Sequence, residues 1–434
     1  MYGQVRDAKV GALVAIASAA YVLLVGAALQ WWVIPATPWH SGAGLLAGGD
    51  WLHFHQLAQD VARRIEQEGW QAWVLRPEGQ APAGLAAALY AATGVHKPWL
   101  LLPVHALLYA LAALCLWRLV SDLSGRSVLG LWAIAPLFMF PSLAMVYGQM
   151  HKDIYALPAV LALVLAWVWM LLRGRSHLWW ILVLLLLGNV LMWLVRPYGL
   201  KLMLLGQAGM LCIFVLGWYS HRQSAALALG TIGVLITVAL LRATAPTATA
   251  PTATAPAVTC PGWVYTLPVS APDVLMARLA CTRLAFAHGY PLAGSNIDTH
   301  VQFTQAADIV LYLPRALQIG WLAPFPNQWF VAAASPGGEV FRAVAALEML
   351  VLYLALTGLL AFGLLTLFKP QGLSPRQLWA AFAILSFAVL WVLMYTLVMT
   401  NVGTLYRMRL PAVLIVMGLG WAAWRQLWLT KSPK

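Results

Sequence analysis

In a chain of 434 residues, 62% hydrophobic against 9% charged residues excludes an ordinary soluble domain, and 23 Trp suit a protein that meets two lipid–water boundaries. The formal net charge of +13 needs no nucleic acid to explain it, because Lys and Arg concentrate in short loops between apolar runs. The partner these numbers imply is a lipid bilayer.

Apolar windows of the roughly 20 residues that span hydrocarbon lie near 10–33, 99–120, 128–147, 155–173, 178–195, 200–218, 224–242, 345–368, 377–399 and 410–427. The expected fold class is an all-α polytopic membrane protein with about ten transmembrane helices, since irregular backbone facing lipid would leave its polar groups unpaired. Three parts follow: an amino-terminal membrane module, 1–242, a large external segment, 243–344, and carboxy-terminal membrane helices, 345–434. The first run ends in Trp31 and Trp32 with no small-residue cleavage site after it, so it reads as an uncleaved helix. With the amino terminus cytoplasmic, the inner side receives Arg6, Lys9, Arg118, Arg126, Arg173, Arg175, Arg222, Lys369, Arg376, Arg425, Lys431 and Lys434, and of the acids only Asp7 and Asp122. Both termini are then cytoplasmic.

The first external loop, 34–98, is far longer than a helix-to-helix turn, which marks a functional face. In it "DWLHFHQLAQDVARRIEQEGW" places Phe54, Leu57, Ala58, Val61 and Ile65 at helical spacing, the pattern of an amphipathic helix in the membrane interface. Asp50 before that run is a standard helix start and a candidate carboxylate at once. Arg63 and Arg64 read as its solvated face or as lipid headgroup contacts. A second short helix is expected over "APAGLAAALYAATG", bounded by Pro82 and Gly94.

Further along, "YGQMHKDIYALP" sets His151, Lys152 and Asp153 side by side where the chain enters lipid, an expensive place for ionisable groups unless they form a solvated loop or handle a charged substrate. The turn "RPYGLK" brackets Tyr198 with Arg196 and Lys201. The second external segment opens with the Pro/Thr/Ala repeat "ATAPTATAPTATAPAVT", an extended linker. Helices are expected in "APDVLMARLACTRLAFAHGY" and in "TQAADIVLYLPRALQIGW", the latter bent at Pro314, both packed on the membrane helices; Asp298 and Arg315 there could shape an acceptor pocket. Cys115 and Cys212 read as small buried apolar residues, whereas Cys260 and Cys281 could pair in an oxidising compartment, worth roughly 3 kcal/mol in the chain-entropy model. Arg407 and Arg409 enter the last helix.

Asp50, His151, Lys152, Asp153, Arg196, Lys201, Arg407 and Arg409 all fall on the external side. A few carboxylates among several cations suit a reaction in which a hydroxyl is activated and a phosphate departs: a carboxylate accepts the acceptor's proton, and Lys or Arg stabilises charge developing on the leaving phosphate. Sugar rings could stack on Trp51, Trp70, Trp321 or Trp329 in the external loops.

An Asp opening a long first external loop ("GGDWLHFHQLAQDVA"), a second small-residue helix ("APAGLAAALYAATG") and an Asp after the third membrane run ("MHKDIYALP") together resemble the glycosyltransferase C superfamily, over about the first half of the chain. The resemblance implies a bacterial inner-membrane enzyme. It would take a polyprenyl-phosphate-linked sugar as donor and an envelope lipid, glycan or protein as acceptor, and work on the periplasmic side. Asp50 would be its general base or a metal-facing ligand, and Asp153 the second-loop acid. Many members pair two acids in the first loop; here Trp51, Leu52 and His53 follow Asp50, which puts a divalent metal (Mg2+ or Mn2+) in doubt. His53 and His55 could substitute as ligands, but at that spacing they do not share a helix face. Two other readings stay open: a polysaccharide polymerase or ligase using a lipid-diphosphate-linked glycan, and a lipid-linked glycan transporter or flippase. The transporter would favour matching repeats in the two halves, which the sequence lacks.

Overall fold

The computed structural model describes residues 2–221, 224–243, 271–289, 294–331, 338–368 and 373–431. The Pro/Thr/Ala repeat and Cys260 lie outside them. In chain order the helices are α1 (Tyr2–Ala28), α2 (Asp50–Glu68), α3 (Ala81–Thr93), α4 (Leu102–Ser124), α5 (Ser127–Ala133), α6 (Ala135–Met139), α7 (Pro141–Tyr147), α8 (Asp153–Leu172) and α9 (Leu178–Val195). They continue with α10 (Gly199–His221), α11 (Ser224–Ala243), α12 (Ala271–Gly289), α13 (Ala306–Leu322), α14 (Gly338–Phe368), α15 (Pro375–Val398), α16 (Val402–Met408) and α17 (Leu410–Lys431).

Seven helices among the described residues are long and apolar enough to cross a membrane. The protein is therefore an all-α, multi-pass membrane protein. Two of the expected ten runs contribute shorter apolar stretches, Gly199–Ile213 and Leu229–Arg242, among the described residues. A third, 128–147, is not one helix: it breaks between Ser127–Met139 and Pro141–Tyr147 with a bend of 71°. Proline is the cause. Pro141 drives Phe140 into an extended conformation (φ −92°, ψ 104°), as a residue before proline prefers, and the chain restarts as α7 in a new direction.

Helix α8 is the centre of the bundle. Of its most apolar window, 89% is buried inside the protein, against 22% for the first span, and it packs on α4, α9, α11, α15 and α17. Buried polar side chains tie its neighbours together: Thr237 of α11 donates to Asn189 of α9 at 2.6 Å and receives a bond of 2.6 Å from Gln207 of α10. Side-chain bonds of this kind hold membrane helices together where the hydrophobic effect does not.

The first external loop builds a small core of its own. Trp51, Phe54, Ala58, Val61, Ala62 and Ile65 of α2 are buried with Ala83, Ala86, Ala87 and Tyr90 of α3. The apolar face of α2 expected to lie against lipid is thus covered by α3, whose run of alanines lets the two backbones approach. Gly94 takes the left-handed conformation (φ 69°) that ends α3. The later external helices pack as expected, α12 and α13 both on α15, and α13 runs on through Pro314.

Candidate active site

Two loops are sewn together before any ionisable group is placed. Gln149 receives the Leu46 N–H at 3.2 Å and donates to the Gly44 carbonyl at 3.2 Å, and Gln30 at the end of the first membrane helix donates to the Gly148 carbonyl at 2.7 Å. Gly44 is required there: its φ is +75°, and a Cβ would stand 2.4 Å from the Gln30 carbonyl oxygen. The Trp51 indole donates to the Leu46 carbonyl. The first residue of α2, Asp50, is thereby set beside the 148–152 turn that leads into α8.

The ionisable groups form a chain from solvent to interior. Asp50 is 59% exposed; its Oδ2 lies 3.6 Å from Nη1 of Arg407 and 3.8 Å from Nε2 of His151. Arg407 Nη1 in turn donates to His151 Nε2 at 2.6 Å. On the other side of the ring, Nδ1 receives the Asp153 backbone N–H at 3.1 Å and lies 2.9 Å from Asp153 Oδ2. The other Asp153 oxygen pairs with Arg196, and both of these side chains are 5% exposed. For Arg196, burial opposes the charged form, but the Asp153 carboxylate beside it outweighs that cost and holds its pKa above the ordinary value. Lys152 is half-buried, with its ammonium 5.7 Å over the Phe54 ring. Burial and the Arg196 charge lower its pKa, while Asp50 and Asp153 pull the other way.

Several expected site residues take other work. Arg409 is buried and donates to the Gly320 carbonyl at 2.5 Å and to that of Ala323, closing the carboxy-terminal carbonyls of α13. Burial pulls its guanidinium down to about 10. It is not open to a phosphate. Arg196 is likewise spent on Asp153 rather than presented to a ligand. Lys201 is exposed and makes no ion pair among the described residues, and Tyr198 is exposed beside it. His53 faces Glu78 at 3.4 Å, both exposed, whereas His55 is buried with Nδ1 3.0 Å from the Tyr90 hydroxyl. Burial, with the charges of Lys97 and His96, brings His55 down to about 4.

Asp298 and Arg315 form a second cluster. Arg315 Nε donates to Asp298 Oδ2 at 2.9 Å, and Tyr312 donates to the same oxygen at 3.1 Å. Burial raises the Asp298 pKa, but those bonds and the Arg283 charge hold it below the usual range. Arg283 caps the end of α15 through the Thr396 and Leu397 carbonyls. This cluster pins residues 294–304 to the α15–α16 connection, where the Ile297 N–H donates to Thr400 at 2.8 Å and the Val402 N–H to Ser295 at 2.9 Å. It thus steadies α16, which carries Arg407. Trp51 is 9% exposed, its ring 6.2 Å from that of His151; Trp329 is tied to the Pro324 carbonyl at 2.8 Å, and Trp70 is exposed. Cys281 is disulfide-bonded, but its expected partner Cys260 lies outside the described residues. Cys212 faces outward, unlike the buried Cys115.

Sequence reasoning passed over Glu348. It is 2% exposed on α14 and receives the Ser142 N–H and hydroxyl, each at 2.8 Å, and the Tyr406 hydroxyl. A Glu inside an apolar run was the available signal. Among the described residues no group of three or more His, Cys, Asp or Glu is placed to hold a metal ion. Asp50 is flanked by Arg407, and one Asp153 oxygen is taken by Arg196, so the donors do not fit a divalent cation. No protein-family model matches this chain, and a search of curated proteins finds no match.

Proposed function

We propose that the protein is a membrane glycosyltransferase that moves a sugar from a polyprenyl-phosphate-linked donor to an envelope lipid, glycan or protein, with the Asp50 face turned to the periplasm. The observation that carries this reading is the meeting of an exposed carboxylate, Asp50, with Arg407 and the buried His151–Asp153–Arg196 chain at one end of the bundle. The resemblance of the same two loops to the glycosyltransferase C superfamily supports it.

In this reading Asp50 accepts the proton of the acceptor hydroxyl as that oxygen forms a bond to the anomeric carbon. The bond from that carbon to the phosphate oxygen breaks, and its electron pair leaves with the polyprenyl phosphate. Arg407 and Lys152 stabilise the charge that develops there. Arg407 also touches Asp50, so it links the base to the departing charge. His151, anchored at Nδ1 beside Asp153, holds Arg407 through Nε2. Asp153 and Arg196 are positioning residues.

The test is incubation of purified protein in nanodiscs with radiolabelled polyprenyl-phosphate hexoses and pentoses and an envelope extract. Label passing from at least one donor to an acceptor supports the proposal. Inactivity with every monosaccharide donor, together with consumption of a lipid-diphosphate oligosaccharide, would replace it with a polymerase or ligase.

A further inference from the structure

The end of the bundle opposite Asp50 holds a polar cavity of about 440 Å³ that the chemistry above does not use. Its walls come from the starts of α1 and α5, the ends of α4 and α8 and the start of α15. Helix α8 sets the distance from the active site: Asp153 opens it, Leu172 closes it at the cavity wall, and 20 residues of helix span about 30 Å. The cavity therefore sits at the other membrane boundary.

Its hydrogen-bonding groups lean towards donors. Asp122 is spent: one oxygen accepts from Arg118 Nε at 3.1 Å and from the Trp169 indole at 2.7 Å, and the other pairs with Arg173. Asp7 lies 3.6 Å from Arg118. The Gln377 side-chain oxygen receives the Ser374 N–H at 2.8 Å, which leaves its amide hydrogens to the cavity. Arg376 is exposed and makes no ion pair among the described residues. Facing the cavity unspent are thus the Arg376 guanidinium, the Gln377 amide and the Ser374 hydroxyl as donors, against the partly exposed Asp7 carboxylate as an acceptor. In the wall Arg173 and Arg376 match Asp7 and Asp122 in number, and Arg118, paired with both acids behind it, tips the local balance to positive. Donors in surplus around a net positive charge match a ligand with several anionic oxygens.

We propose that this cavity binds an anionic phosphate group, carried either by an acidic lipid of that leaflet or by a free phosphate compound. The proposal is independent of the glycosyltransferase reading.

The intact protein in detergent and in nanodiscs tests it, with phosphatidylglycerol, phosphatidylcholine and inorganic phosphate as probes. Native mass spectrometry reads lipid retention, and thermal unfolding in phosphatidylcholine nanodiscs reads inorganic phosphate. Selective retention of phosphatidylglycerol identifies a lipid source; a dose-dependent rise in unfolding temperature with inorganic phosphate identifies a free one. In the arm that responds, Arg376→Gln should weaken binding roughly tenfold or more, the loss of one charge-assisted hydrogen bond, and Arg376→Lys should recover part of it. Arg126→Gln removes the same charge from a neighbouring residue that bonds Gln426 and does not line the cavity, so it should bind as wild type does. Three results would each overturn the proposal: no binding of either probe to the wild type, wild-type binding by Arg376→Gln, or an equal loss in Arg126→Gln.

Discussion

Asp50, with 59% of its side chain exposed, can meet an acceptor hydroxyl, whereas Asp153, with 5% exposed and Arg196 against it, cannot. In the proposed mechanism the two acids that the sequence offers as a catalytic pair therefore separate into a base and a positioning residue. Asp153→Asn should leave Arg196 buried beside a neutral group and destabilise the protein by about 3–5 kcal/mol, the usual effect of breaking a buried pair from one side. A double-mutant cycle with Arg196→Met in thermal unfolding checks it: the double variant should lose less than the sum of the two single losses. His55 supplies a pH test. Its folded value of about 4 lies below the ordinary 6.5, so between those values the unfolded chain binds the extra proton. Its contribution to stability is therefore complete above about 6.5 and lost as pH falls toward about 4. Unfolding temperature followed over that window should drop in the wild type and drop less in His55→Gln; equal curves would take His55 out of the account.

Among the elements, α2 and α3 were legible because their signals are local: a helical apolar period, an Asp start and a Gly end. The broken third span was half legible. Pro136 and Pro141 were in view, but a hydropathy window averages over them and returns a single apolar run. The role of Arg409 was illegible, because the carbonyls it closes belong to a helix some 90 positions earlier in the chain and nothing in its own neighbourhood announces them. Glu348 joins two of these pieces, holding the start of α7 through Ser142 and α16 through Tyr406. Glu348→Ala should leave the Ser142 N–H unpaired and cost about 1–3 kcal/mol, while Glu348→Gln keeps an acceptor oxygen and should cost less. Equal unfolding temperatures for the two variants would mean that the carboxylate does not tie α7 to α16.

On the scale of the molecule, five of the residues that the charge rule assigns to one side gather at one end. Asp7, Arg118, Asp122, Arg173 and Arg376 share the end of the bundle opposite Asp50, although α4, α8 and α15 bring them from distant parts of the chain. Single cysteines placed at the exposed positions Gln71 and Arg126 of a cysteine-free variant should therefore label from opposite sides of sealed vesicles; labelling from one side would contradict the sidedness. The gathering of the Asp50 cluster was legible only as a shared side, since the bonds that sew its loops together, Gln149 to Gly44 and Gln30 to Gly148, join residues about a hundred positions apart. The most direct test of the whole account is the turnover of Asp50→Asn with a polyprenyl-phosphate sugar that the wild type uses. The account predicts a loss of at least roughly 10²-fold in transfer, the scale of a lost general base, with unfolding temperature and donor binding nearly unchanged. Normal turnover in a correctly folded Asp50→Asn protein would contradict it.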